Sequence, residues 1–143
     1  MKSTELRIGN LIQTEKYGVK IEVKAIFGKY GLECGNSGND YDDYSPDIKD
    51  VKPIPLTEEW LIKFGFEAYS THVNYIELQI KSNKPSNHVV IRYGLQRDYF
   101  NIFNHSECDF TEMQYLTEVK FVHQLQNLFY CLSGGEELTI KEL

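Results

Sequence analysis

The sequence predicts an α+β fold: antiparallel β-meanders, the N-terminal one a curled SH3-like sheet, with one short and one longer C-terminal helix packed on the sheet. Three observations predict it. Apolar and polar residues alternate over Val19–Phe27 and again in three runs between Asn74 and Asn104, the period of half-buried strands. A short stretch around Thr57–Phe64 carries helix signals at both ends. From Phe121 to Leu132 the apolar residues recur at three-four spacing, the period of a helix with one buried face.

In chain order, "LRIGNLIQT", the turn "EKYG" and "VKIEVKAIF" read as two strands of a hairpin. Val19, Ile21, Val23, Ala25 and Phe27 are expected on one side, with Lys20, Glu22 and Lys24 on the other. "GKYG" turns the chain again and "LEC" is a short third strand. The stretch "GNSGNDYDDYSPD", Gly35 to Asp47, is thick with turn formers and acids. It reads as an exposed loop and a boundary between two lobes of one domain, residues 1–50 and 51–143.

Pro53 and Pro55 hold the approach to the first helix extended, Thr57 is placed as its N-cap, and Glu58 and Glu59 suit the positive end of the helix dipole. Trp60, Leu61 and Phe64 share a side. Gly65 is expected to stop the helix in a left-handed C′ conformation, with Phe66 folding back as its apolar partner. Next, "NYIELQIK", "HVVIRYG" and "DYFNIFN" are three strands joined by the turns "KSNKPSN" and "GLQRD". Ile76, Leu78 and Ile80, then Val89, Ile91 and Tyr93, then Phe100 and Ile102 make the apolar face. "HSECDFTEMQYL" reads as a further strand or as a loop leading to the last helix, with Thr117 as that helix's N-cap. Gly134 and Gly135 end the helix, and "EELTIKEL" leaves it as an extended tail or edge strand.

On a wheel of about 100° per residue, Val122, Leu125, Phe129 and Leu132 fill a core arc, flanked by Phe121 and Leu128. The rest of the wheel holds His123, Gln124, Gln126, Asn127 and Tyr130, with Cys131 among them as a buried or half-buried thiol. A solvated helix face normally carries Lys and Glu. Amides, an imidazole and a phenol instead donate and accept hydrogen bonds without a net charge to desolvate. This face either satisfies polar groups of the neighbouring sheet or binds a partner; His123, Gln126, Asn127 and Tyr130 are the candidate partner-binding residues.

Fifteen basic against twenty-one acidic residues give a net charge of −6, which disfavours a nucleic-acid backbone as partner. The N-terminal residues lack the apolar run of a signal peptide and no run of about eighteen apolar residues occurs, so no membrane partner is expected and the cytoplasm is the expected location. Cys34, Cys108 and Cys131, odd in number and far apart, are expected as reduced thiols.

The four histidines show no metal-ligand spacing, "HSEC" is only half of a zinc clamp, and the acidic loop lacks the order of a calcium-binding loop. No glycine-rich phosphate loop occurs; no cofactor and no metal are expected. The alternative to protein binding is single-stranded nucleic-acid binding by the middle strands, where Arg92, Arg97, Tyr99 and Phe103, with Tyr93 and Phe100, have the composition of a base-stacking sheet. The third reading is a hydrolase using His123 or Cys131, though two turns of helix separate them.

Three motifs, "ELRIGN" at Glu5 to Asn10, "PIPLTEEWLIKFGFE" at Pro53 to Glu67 and "VKFVHQLQNLFYCLSGGEELTI" at Val119 to Ile140, together make the chain resemble small uncharacterised proteins of gut Bacteroidales genomes, their phages and mobile elements. The resemblance implies a cytoplasmic accessory or regulatory component of a mobile element. It brings no catalytic residue, cofactor or substrate. The expectation that follows is a non-catalytic accessory protein with an unknown protein partner.

Overall fold

The described residues form two five-stranded antiparallel sheets with no strand in common. The computed structural model describes residues 2–14, 20–27, 31–36, 39–71, 75–81, 88–94, 100–105 and 114–141. The turns expected at "EKYG", "KSNKPSN" and "GLQRD", together with Cys108, lie outside or largely outside them. The fold is α+β and divides into two compact units, Met1–Pro55 with Phe121–Asn127, and Leu56–Lys120 with Leu128–Leu143.

The first unit contains β1 (Leu11–Thr14), β2 (Lys20–Ile26), β3 (Leu32–Asn36), β4 (Asn39–Tyr44) and β5 (Val51–Lys52), in the order β4-β3-β2-β1-β5. Leu6, Ile12, Ile21, Val23, Leu32, Cys34 and Val51 form its core. The alternation along β2 holds only to Val23. There the pairing with β3 slips, Val23 facing Cys34 but Ala25 facing Glu33, so Lys24 is an extra residue. Every later side chain changes face: Ile26 packs against the core, while Phe27, expected inside, is 55% exposed.

Two more expectations are corrected in this unit. Leu6–Asn10 is not strand but a turn after a short 3-10 helix (Ser3–Glu5): Asn10 N–H donates to the Arg7 carbonyl at 3.1 Å, and Gly9 takes φ 87°, open to glycine without a Cβ clash. The acidic stretch expected as a loop supplies β4, paired antiparallel to β3. A strand at a sheet edge needs a ladder on one side only, and charges there oppose further pairing.

The second unit is a meander in sequence order: β6 (Glu67–Thr71), β7 (Tyr75–Lys81), β8 (His88–Gly94), β9 (Phe100–His105) and β10 (Gln114–Val119). Leu78, Ile80, Val89, Ile91, Tyr93, Phe100, Ile102 and Val119 are buried on one face, as the alternation requires. The two outer strands, β6 and β10, are the ones the alternation did not reveal. Thr117, expected to cap a helix, lies in β10 beside a bulge between Tyr115 and Thr117.

Helix α1 (Glu58–Lys63) starts at Thr57, the expected N-cap position, although the threonine side chain makes no cap hydrogen bond. Its end follows the sequence closely. Gly65 takes φ 83°, its N–H donates to the Ile62 carbonyl at 2.8 Å, and Phe66 N–H donates to the Leu61 carbonyl at 3.0 Å, a Schellman pair with Phe66 buried behind it. The positive φ at Gly65 is a conformation that other residues adopt only with strain.

Helix α2 (Val122–Leu132) groups with the first unit up to Asn127 and with the second from Leu128. Gln124, in its third position, accepts from Phe121 N–H at 3.3 Å, half of a capping box. At its other end Gly134 takes φ 70°, and Gly135 N–H returns to the Tyr130 carbonyl at 2.8 Å. The described part of the tail, to residue 141, forms no strand; Leu138 is buried and Lys141 N–H donates to the Lys63 carbonyl at 2.8 Å.

Candidate functional site

The amide face of α2 closes on the chain's own N-terminal segment, within the first unit. Gln126 is 2% exposed. Its Oε1 accepts from Leu11 N–H at 2.9 Å and its Nε2 donates to the Gly9 carbonyl at 3.1 Å, so one amide satisfies two backbone groups where the turn enters β1. Asn127 repeats the arrangement one residue on. Its Nδ2 donates to the Glu5 carbonyl at 3.0 Å and its Oδ1 accepts from Asn10 Nδ2 at 2.8 Å, while Asn10 Oδ1 accepts from Arg7 N–H at 2.8 Å. The five bonds form a clasp around the "ELRIGN" turn.

His123 is buried at 2% exposure and stacks on Phe121, ring centroids 5.9 Å apart. Among the described residues its Nδ1 has no hydrogen-bond partner. Burial holds the imidazole below its ordinary pKa, against the opposing pull of Glu5. Tyr130 is half-buried, its ring beside Gly135. The first turns of the helix thus bring Gln126 and Asn127 to one set of partners and set His123 inside.

Cys131, expected buried or half-buried, is exposed, because its place on the wheel is among the polar residues and not in the core arc. Cys34 is buried, and desolvation, reinforced by Glu33, pushes its thiol up to about 11, leaving it protonated at neutral pH. A shallow cleft lined by Phe27, Gly31, Leu32, Ser45, Pro46 and Asp47 also lies in the first unit. The Asp47 carboxylate there is turned to Lys49, accepting from its N–H at 3.3 Å and from Nζ at 2.9 Å.

The second candidate surface is the face of the second sheet opposite its core. Arg92 stands across from Glu77, donating to Glu77 Oε1 from Nε at 2.8 Å and from Nη2 at 2.5 Å. The Glu77 side chain is 4% exposed and that of Arg92 is 32% exposed. Glu77 is therefore a buried carboxylate, where the alternation put it on a wet face; its charge is offset by Arg92. The guanidinium carbon lies 4.5 Å from the Tyr75 ring centroid and 4.7 Å from that of Phe103, held between the two rings. Phe103 meets Tyr115 edge to face at 5.7 Å, and Tyr115 is 52% exposed. One row, Tyr75, Arg92, Phe103, Tyr115, crosses four strands.

Of the residues expected to stack nucleic-acid bases, Arg92 and Phe103 are brought together, and Arg97 and Tyr99 lie outside the described residues. Tyr93 and Phe100 pack against each other at 5.3 Å on the opposite, buried face. Glu77, Tyr75 and Tyr115 were missed by the sequence reading. A signal for Glu77 was present: matching Ile76, Leu78 and Ile80 with Tyr93, Ile91 and Val89 sets Glu77 opposite Arg92.

No described helix is long and apolar enough to cross a membrane, and the described residues contain no group of three or more His, Cys, Asp or Glu placed to hold a metal ion. The chain matches no protein-family model, no curated protein and no solved structure.

Proposed function

We propose that this protein is a small, non-catalytic accessory module that binds another protein, and that it does so with the Tyr75–Arg92–Phe103–Tyr115 row. The observation that carries the reading is Arg92 held between two aromatic rings with its charge offset by Glu77. Flat aromatic and guanidinium groups on rigid strands supply contact area at little entropic cost, and such residues dominate the energetic centres of protein interfaces. The same row could stack bases. A guanidinium already paired to a buried carboxylate has little charge left for phosphate, and the net charge of −6 opposes a polyanion, so protein is favoured. Gln126 and Asn127 bond the N-terminal turn, which supports reading the sheet row rather than the helix face as the binding surface. The resemblance to Bacteroidales, phage and mobile-element proteins supports a cytoplasmic setting.

Affinity capture of the tagged chain from host lysate, with and without nuclease, tests this. A protein retained through nuclease by the native chain and lost with Tyr115→Ala is the expected result. Retention that nuclease abolishes, or that Tyr115→Ala leaves unchanged, overturns it.

A further inference from the structure

We infer that the row is a receptor for a cation, and that the partner segment it takes is basic, presenting an arginine or lysine to Tyr115 and Glu118. This rests on the reading of the row as a protein-binding surface and names the chemistry of what it binds.

Three observations lead there. The sheet already holds one guanidinium, Arg92, between Tyr75 and Phe103, so its rings are set at a spacing that accepts a flat cation on a ring face. Tyr115 continues the row onto β10, the outer strand, with half its surface open. Finally, register places a carboxylate beside that ring. Tyr115 faces Phe103 and Glu118 faces Asn101, and Phe103 and Asn101 point to the same side of β9.

Two strand residues span about 7 Å, a distance an arginine side chain bridges while its guanidinium rests on the phenol ring and its N–H groups reach the carboxylate. Glu118 is exposed; Glu67 shares this face, opposite Gln79, but stands on β6 at the far edge of the sheet. Glu77 and Arg92 offset each other, and the charge that the register sets beside Tyr115 is the Glu118 carboxylate. A basic segment complements it; an acidic peptide or a phosphate backbone does not.

The probes are three fluorescent ligands of equal length: a ten-residue Arg/Gly peptide, a Glu/Gly peptide and a ten-nucleotide oligo-dT, titrated into the intact chain at low salt. The Arg/Gly peptide should bind more tightly than either other probe. Tyr115→Leu should weaken it about three- to fivefold while Tyr115→Phe, which keeps a ring, retains it. Glu118→Gln should weaken it about threefold, against less than a twofold change for Glu59→Gln, the same charge removed from α1. Preference for the acidic peptide or the oligonucleotide, no binding of the basic peptide, or equal effects of Glu118→Gln and Glu59→Gln would overturn the inference. A captured protein partner that depends on Tyr115 but ignores Glu118→Gln would sink the inference alone and leave the proposed function standing.

Discussion

The first turns of α2 and the Arg92 face of the second sheet are both polar in sequence, yet their side chains are used in opposite ways. Gln126 and Asn127 turn neutral hydrogen-bonding groups to the N-terminal segment, where the Glu5 and Gly9 carbonyls, the Asn10 side-chain amide and Leu11 N–H meet them one for one. Arg92 spends its charge on Glu77 underneath it and leaves rings and a flat guanidinium at the surface. A face rich in donors and acceptors can be spent entirely on its own chain. A face with its charge cancelled can still offer contact area, because the stacking surfaces of rings and guanidinium are not consumed by the ion pair.

That contrast can be broken by experiment, and the largest effect belongs to the clasp. Gln126→Leu keeps the volume but leaves Leu11 N–H and the Gly9 carbonyl buried without that partner, which should cost about 2–4 kcal/mol in urea unfolding. A loss below about 1 kcal/mol would show that the amide does not hold the turn. Arg92→Ala takes the paired guanidinium from the buried Glu77 carboxylate and should cost about 2–3 kcal/mol. That sits under the cost of a wholly buried pair, because Arg92 is partly solvated. Replacing both residues with leucine should recover most of it; a double variant as unstable as the single one would mean that packing, not the lost guanidinium charge, sets the penalty.

Acid comes next. His123 has its folded-state pKa lowered by burial, so the unfolded chain binds its proton first as pH falls. Its contribution is fully present above the unfolded value near 6.5 and is lost as pH drops from there toward the folded value. His123→Leu should therefore flatten the acid side of the stability curve relative to the native chain. An unchanged slope would place the imidazole in contact with water. The smallest effect is Tyr115→Ala, exposed at an outer strand, which should change stability by less than about 1 kcal/mol while removing partner capture. If Tyr115→Ala unfolds the chain, the row is a packing device and the contrast with the clasp disappears.

The central strands were legible from sequence because both neighbours of β7, β8 and β9 are strands and one face is core, so burial imposes a period of two. The end of α1 was legible because Gly65 and Phe66 act within one turn. Strands β4, β6 and β10 were not, since an outer strand pairs on one side and need not alternate cleanly; β10 runs from exposed Gln114 and Tyr115 to buried Val119. Nor was the bulge at Lys24, which one extra residue in β2 creates only when β3 pairs against it.

For the candidate surfaces, sequence by itself determined which chemical groups stand on the α2 face and that Arg92 lies among aromatic strands. Periodicity within one element is enough for that. Only the tertiary structure decided that Asn127 meets Asn10 across 117 residues of chain and that Arg92 lies between Tyr75 and Phe103 over a buried Glu77. The reason is physical: a side chain's donors, acceptors and charge are local properties, but whether they are spent or offered depends on partners that register and chain reversal bring from elsewhere.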